Sequence, residues 1–245
     1  VTCRVYAGDC REFMAKIPDR AIDHVITDPP YRPIVHRNSR KGSKNAVSEM
    51  KDFGYEPITP KIRSDVTREF ARIAKRWIIV FCDAESVTEW MREFSFRDIE
   101  YVRCGIWLKE AGTPQFTGDR PGIGHECIVI GHAPRESGRM RWNGGGRPAV
   151  WKARVVRDAI HSTQKPLELM EALVRDFTER GDRILDPFAG SGTTIAAAKR
   201  WGREGLGVEL NPEWAKAANR RIADISEQAE LELPQGAKAK QEDLL

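Results

Sequence analysis

What most constrains the fold of this chain is the alternation of short apolar runs with longer segments of helical period. Runs at 4–7, 23–27, 77–82, 100–108, 126–131, 183–186 and 205–209 have the length and apolar content of strands. Helix-patterned segments at 10–16, 60–75, 85–94, 166–180, 193–201 and 212–228 are interspersed among them. This alternation predicts an α/β fold with a mostly parallel sheet, because helical crossovers let successive strands run in the same direction. Leu167, Met170, Leu173, Val174 and Phe177 recur at helical spacing and read as core packing. At 245 residues the chain suits one folded unit, expected over 1–228, with a charged, disordered tail at 229–245.

Composition narrows the function classes. The formal net charge of +4 permits a nucleic-acid partner without requiring one. The five cysteines (Cys3, Cys10, Cys82, Cys104 and Cys127) are scattered with no CxxC pair, which argues against a metal or dithiol site and fits a reducing, cytoplasmic compartment. No apolar run has bilayer length and no secretory pattern opens the chain, so no membrane is expected.

Chemistry concentrates in two motifs. The run at 23–27 leads directly into Asp28-Pro29-Pro30-Tyr31, an acid and an aromatic ring stiffened by two prolines. The carboxyl end of a strand is where open α/β sheets bind ligands. An exocyclic base nitrogen is a poor nucleophile because its lone pair is delocalised into the ring. Asp28 and the Pro29 carbonyl can accept its hydrogens while Tyr31 offers a stacking face, typically worth about 1–3 kcal/mol per base. By itself the tetrapeptide is also what an ordinary turn contains.

The second motif, Asp186-Pro187-Phe188-Ala189-Gly190-Ser191-Gly192-Thr193-Thr194, joins a strand to a helix, so its glycines allow close backbone approach and the helix start offers free amides. It lacks the lysine of a nucleotide-hydrolase phosphate loop and the third glycine of a dinucleotide fingerprint. About twenty residues on, the next strand ends in Glu209, where nucleoside-binding α/β folds place an acid on ribose hydroxyls. Asn211-Pro212 then opens a helix.

Together with Thr163-Gln164-Lys165-Pro166, these motifs resemble the catalytic, cofactor and flanking motifs of the amino-group DNA methyltransferases. Their order, catalytic before cofactor, is similar to the circularly permuted beta class, and the resemblance covers Gly8 to about Arg221. It implies a Rossmann-like, seven-stranded sheet with one antiparallel strand and S-adenosylmethionine as cofactor. It puts Gly8-Asp9-Cys10 at the cofactor adenine, Thr163 and Lys165 near the methionine carboxylate, Asp186 through Thr193 (with Pro187, Phe188, Gly190, Ser191 and Gly192) around methionine and ribose, and Glu209 and Asn211 at the ribose end. Gly105-Ile106-Trp107-Leu108-Lys109 and His125-Glu126 look like minor landmarks and are assigned structure before function. An Asp at the clamp's first position goes with N6 of adenine in this family; N4 of cytosine is the alternative. RNA or protein acceptors and a non-catalytic DNA-binding relative stand behind both.

Two segments break the periodic pattern. Residues 32–56 carry Arg32, Arg37, Arg40, Lys41 and Lys44 and are expected to form a mobile loop that closes over a flipped base or binds phosphates. Residues 133–161 lie where the permuted class places target recognition. Arg139, Arg141, Trp142, Arg147, Lys152 and Arg154 are the expected contacts to double-stranded DNA there. A homodimer is compatible with the chain.

Overall fold

Periodicity and capping decide where the elements begin. The computed structural model describes residues 1–32, 57–110, 118–135, 139–156 and 164–227. Its strands are β1 (Cys3–Ala7), β2 (His24–Thr27), β3 (Trp77–Cys82), β4 (Glu100–Glu110), β5 (His125–His132), β6 (Val150–Arg154), β7 (Arg183–Asp186) and β8 (Glu204–Glu209). The helices are α1 (Cys10–Met14), α2 (Pro60–Ile73), α3 (Val87–Ser95), α4 (Leu167–Phe177), α5 (Thr193–Arg200) and α6 (Pro212–Ala223). Asp9, Thr59 and Asn211 cap α1, α2 and α6 through their side chains, and Pro60 and Pro212 occupy first-turn positions where no amide hydrogen is needed.

The strands form one sheet in the order β1-β8-β7-β2-β3-β5-β4-β6. Only β5 runs against its neighbours; every other pairing is parallel. The sequence reading expects seven strands, and the described residues hold eight. The extra one, β6, lies inside the basic segment at 133–161. Its residues alternate exposed and buried, with Trp151 and Ala153 inward and Val150, Lys152 and Arg154 outward. The apolar Val150 faces outward and only two residues face inward, so the period-two pattern is too short to read, while charge at Lys152 and Arg154 discourages edge pairing with another chain.

Central strands are buried on both faces, as parallel sheets require. Val25, Ile78 and Val80 face α1, α2 and α3 through Met14, Val66, Phe70, Ile73, Trp90 and Phe94. Ile26, Ile79 and Phe81 face α4 and α5 through Leu169, Leu173, Val174, Phe177 and Ala197. The sequence expects α4 to continue to residue 180. It stops at Phe177 because Thr178 is extended, where its carbonyl and hydroxyl bind the buried Arg203 guanidinium.

Candidate active site

Four parallel strands, β1, β8, β7 and β2, end at the same edge of the sheet, and the loops that follow them enclose a cavity of about 1180 Å³. That exceeds the roughly 300–1,000 Å³ usual for a single small ligand. Asp28 through Tyr31, Asp9, Cys10, Lys165, Pro187 through Ser191, Thr193 and Glu209 all line it. Pairing of Val25 with Leu185 is what joins the two motifs, and Thr27 Oγ1 donates 2.7 Å to Asp186 Oδ1 across that seam.

Within the glycine turn the residues divide their work. Asp186 is 2% exposed, and it accepts from Thr27 Oγ1, Thr194 Oγ1 and the Phe188 amide. Burial pushes its carboxyl up to about 6 despite these donors. Asp186, expected as a cofactor ligand, lines the cavity, and its oxygens also hold β2, β7 and α5 together. Gly190, with φ of 49°, lines the cavity and has open space where a side chain would stand. Gly192 does not line it. A Cβ there would meet the Ala218 Cβ at 2.9 Å, so this glycine lets α5 pack against α6.

Glu209 closes β8 with Oε2 on the Gly190 amide at 3.0 Å and Oε1 on the Asn211 amide at 2.9 Å, and burial raises its carboxyl above the usual range. Asn211 also lies outside the cavity wall; it caps α6 and orients Glu209. Asp9 caps α1 and is gripped by Arg11, whose guanidinium holds that carboxyl below the usual range. An acid beside an open glycine turn, with Phe188, Leu210 and Trp214 as apolar walls, fits a nucleoside whose ribose diol faces Glu209.

Across the cavity, Asp28 keeps 20% of its side-chain surface accessible. Its Oδ2 pairs with Lys165 Nζ, whereas its buried Oδ1 has no hydrogen-bond partner among the described residues. Burial pushes the Asp28 carboxyl above the usual range, Lys165 opposes that, and Glu126 adds to it. Tyr31 donates 2.6 Å to Glu126 Oε2, and burial raises its phenol further. Lys165, expected near the methionine carboxylate, lines the cavity between Asp28 and Glu126, which outweigh burial and keep it protonated. Glu126 and Lys109 were assigned structure from sequence, and their place in this wall was missed. The adjacent HE and GIWLK landmarks were the available signal.

A family model described as DNA methylase, the N6/N4 methyltransferases, matches residues 22–220. The chain belongs to this family. It is an S-adenosylmethionine-dependent DNA methyltransferase acting on an exocyclic base amine, N6 of adenine or N4 of cytosine. Over 225 residues it is 28% identical to YubD of Escherichia coli (strain K12), a methylase by name, with 91% of each chain covered. The type II methyltransferase M2.DpnII of Streptococcus pneumoniae is 25% identical, covering 88% of this chain and 87% of that one. A DNA modification methylase of Thermus thermophilus, TTHA0409, solved with S-adenosyl-L-methionine, superposes with a TM-score of 0.63 at 26% identity, covering 91% of this chain and 93% of that one.

The methyltransferase distributes its basic residues differently from the sequence reading. Arg37, Arg40, Lys41 and Thr163 lie outside the described residues. Arg32 lines the cavity and pairs with Asp83 and Glu85. Arg141, Trp142 and Arg147 sit at the opposite, amino edge of the sheet. The Arg141 carbonyl accepts from Trp77 Nε1 at the start of β3, Arg141 pairs with Glu179, Arg147 pairs with Asp176, and the Trp142 ring lies 4.8 Å from that of Phe177. All three take part in packing and ion pairs around the end of α4. Arg139 and Lys152 are exposed, and Arg154 ends β6 next to Val155 and Val156 in the cavity wall. None of the described helices is long and apolar enough to cross a membrane.

Proposed function

We propose that this methyltransferase modifies N6 of adenine in double-stranded DNA, taking the base into the cavity by flipping it out of the helix. The observation that carries this reading is the Asp28 carboxylate, with one oxygen on Lys165 and the other buried without a hydrogen-bond partner among the described residues, beside the Tyr31 ring in a cavity that also contains the Gly190 turn. Within a duplex the amine is inaccessible to such a wall, so the base must leave the stack. Tyr31 then offers a stacking surface, while Asp28 Oδ1 and the Pro29 carbonyl accept the two amine hydrogens. Accepting them localises the nitrogen lone pair toward the incoming carbon.

Bound S-adenosylmethionine supplies the electrophilic methyl. Glu209 holds the ribose diol, Asp9 and Cys10 meet the adenine end, and Gly190 and Ser191 let the backbone close on the remainder. The proton released by the amine passes to Asp28. Arg154, beside the cavity wall, is the described residue of the basic segment best placed to reach a DNA phosphate.

The catalytic strand β2 precedes the cofactor strand β7 in sequence yet pairs beside it, which supports a circularly permuted order. One sheet running from β1 to β6 supports a single catalytic domain over 1–228. Since both cavity walls come from one chain, no second copy is needed for the chemistry.

The test is methylation of random-sequence duplex DNA by the wild type and by Asp28→Ala, with modified positions mapped at base resolution. N6-methyladenine is expected with the wild type. Asp28→Ala is expected to lose roughly 10²–10⁴-fold in turnover with cofactor affinity kept. N4-methylcytosine would overturn the base assignment, and full turnover by Asp28→Ala would overturn the clamp.

A further inference from the structure

Glu126 lies near the start of β5. Because that strand alone is reversed, its beginning reaches the edge where β2 and β3 end, with Cys127 opposite Cys82. Three donors converge on its carboxylate: Tyr31 Oη at 2.6 Å and Lys165 Nζ at 3.2 Å on Oε2, and Lys109 Nζ at 2.8 Å on Oε1. Only 14% of the Glu126 side chain is exposed, against 8% for Lys165 and 19% for Lys109. A carboxylate this buried stays ionised only when it is paired, and here two lysines match two acids, Glu126 and Asp28.

The arrangement bears on the unpaired Asp28 oxygen. Lys165 carries three donor hydrogens and is hemmed in by the rings of Tyr31, Phe81 and Trp107, at 5.4, 5.1 and 5.9 Å. Without the Glu126 charge, Asp28 would be the remaining anion in contact with that ammonium, and both of its oxygens would be drawn to it. Glu126 takes up part of the ammonium and leaves Oδ1 unengaged.

We propose that Glu126 is a positioning residue for methyl transfer: by sharing Lys165 with Asp28 and holding the Tyr31 hydroxyl, it keeps one Asp28 oxygen unpaired for the base amine and fixes the stacking ring. This role rests on reading Asp28 as the amine acceptor. The charged and titratable groups facing Asp28 are Lys165 ahead of α4, Glu126 on β5, Tyr31 after β2, Cys82 on β3 and Asp186 on β7, with Lys109 on β4 acting through Glu126. Removing the Glu126 charge takes an anion away from Asp28, so Asp28 ionises at lower pH.

The experiment compares wild type, Glu126→Gln, Tyr31→Phe and the double variant in kcat at saturating DNA and cofactor, in cofactor Kd by calorimetry, and in the pH profile of kcat. Glu126→Gln keeps the shape and removes the charge. Its kcat is expected to fall on the order of ten- to a hundredfold, with cofactor Kd within about twofold and the acid limb moved to lower pH. Tyr31→Phe is expected to lose less, and the double variant less than the product of the two losses, because both act on one carboxylate.

Wild-type kcat with an unmoved acid limb in Glu126→Gln would overturn the proposal. So would a fall in kcat matched by an equal loss of cofactor affinity. Should Glu126→Gln not fold, Tyr31→Phe decides alone: reduced kcat with unchanged cofactor Kd supports the role, and wild-type kcat overturns it. Full turnover in Asp28→Ala would instead remove the underlying reading, whereas an inactive Asp28→Ala beside an unaffected Glu126→Gln removes only this inference.

Discussion

At Asp28, burial and pairing pull in opposite directions. Burial raises its carboxyl, Lys165 lowers it and Glu126 raises it again. In the proposed role of accepting amine hydrogens, Asp28 works only when ionised, so activity is expected to be lost as pH falls through its pKa, and that limb lies above the ordinary carboxylate range. Lys165→Met removes the group that lowers it. The acid limb of kcat is then expected to move to higher pH and kcat to fall roughly tenfold or more, read from a pH–rate series. A large rise in cofactor Kd with an unmoved limb would instead favour the methionine-carboxylate role implied by the resemblance. Asp28 and Tyr31 were legible because the clamp is contiguous in sequence. Glu126 was not, because its link to Tyr31 spans 95 residues and depends on the reversal of β5.

Elements were legible where period and caps agreed. Six helical segments and seven of the strands were placed from pattern alone, and Asn211-Pro212 marked the start of α6. β6 was hidden because its outward positions carry Val150, Lys152 and Arg154, so composition suggested a solvated DNA-binding segment. The inward residues are structural. Trp151 is 5% exposed, donates 2.7 Å from Nε1 to Asp176 Oδ2, and packs its ring 6.0 Å from that of Phe177. Trp151→Ala is expected to destabilise the fold by about 3–5 kcal/mol, measured by urea unfolding. A cost below about 1 kcal/mol would return the segment to the status of a surface insert.

For the whole molecule, sheet order matters more than sequence order. Motifs at 28 and 186 become neighbours because β2 pairs with β7, and Glu209 joins them because β8 pairs with β7 on its other side. The sequence showed that these motifs belong to one enzyme class. It did not show that the basic segment divides, with Arg141 and Arg147 bound at the amino edge and Arg154 left near the cavity, since that division depends on α4 ending at Phe177. The central claim is that one cavity holds the methyl donor and an extruded base amine together. Its most direct test is a crystal structure with duplex DNA and a non-reactive analogue of S-adenosylmethionine. The account predicts a base outside the helix, stacked on Tyr31, with its amine about 2.7–3.2 Å from Asp28 Oδ1 and the analogue against Gly190 and Glu209. A target base still stacked in the duplex, or an analogue bound away from the Gly190 turn, would contradict it.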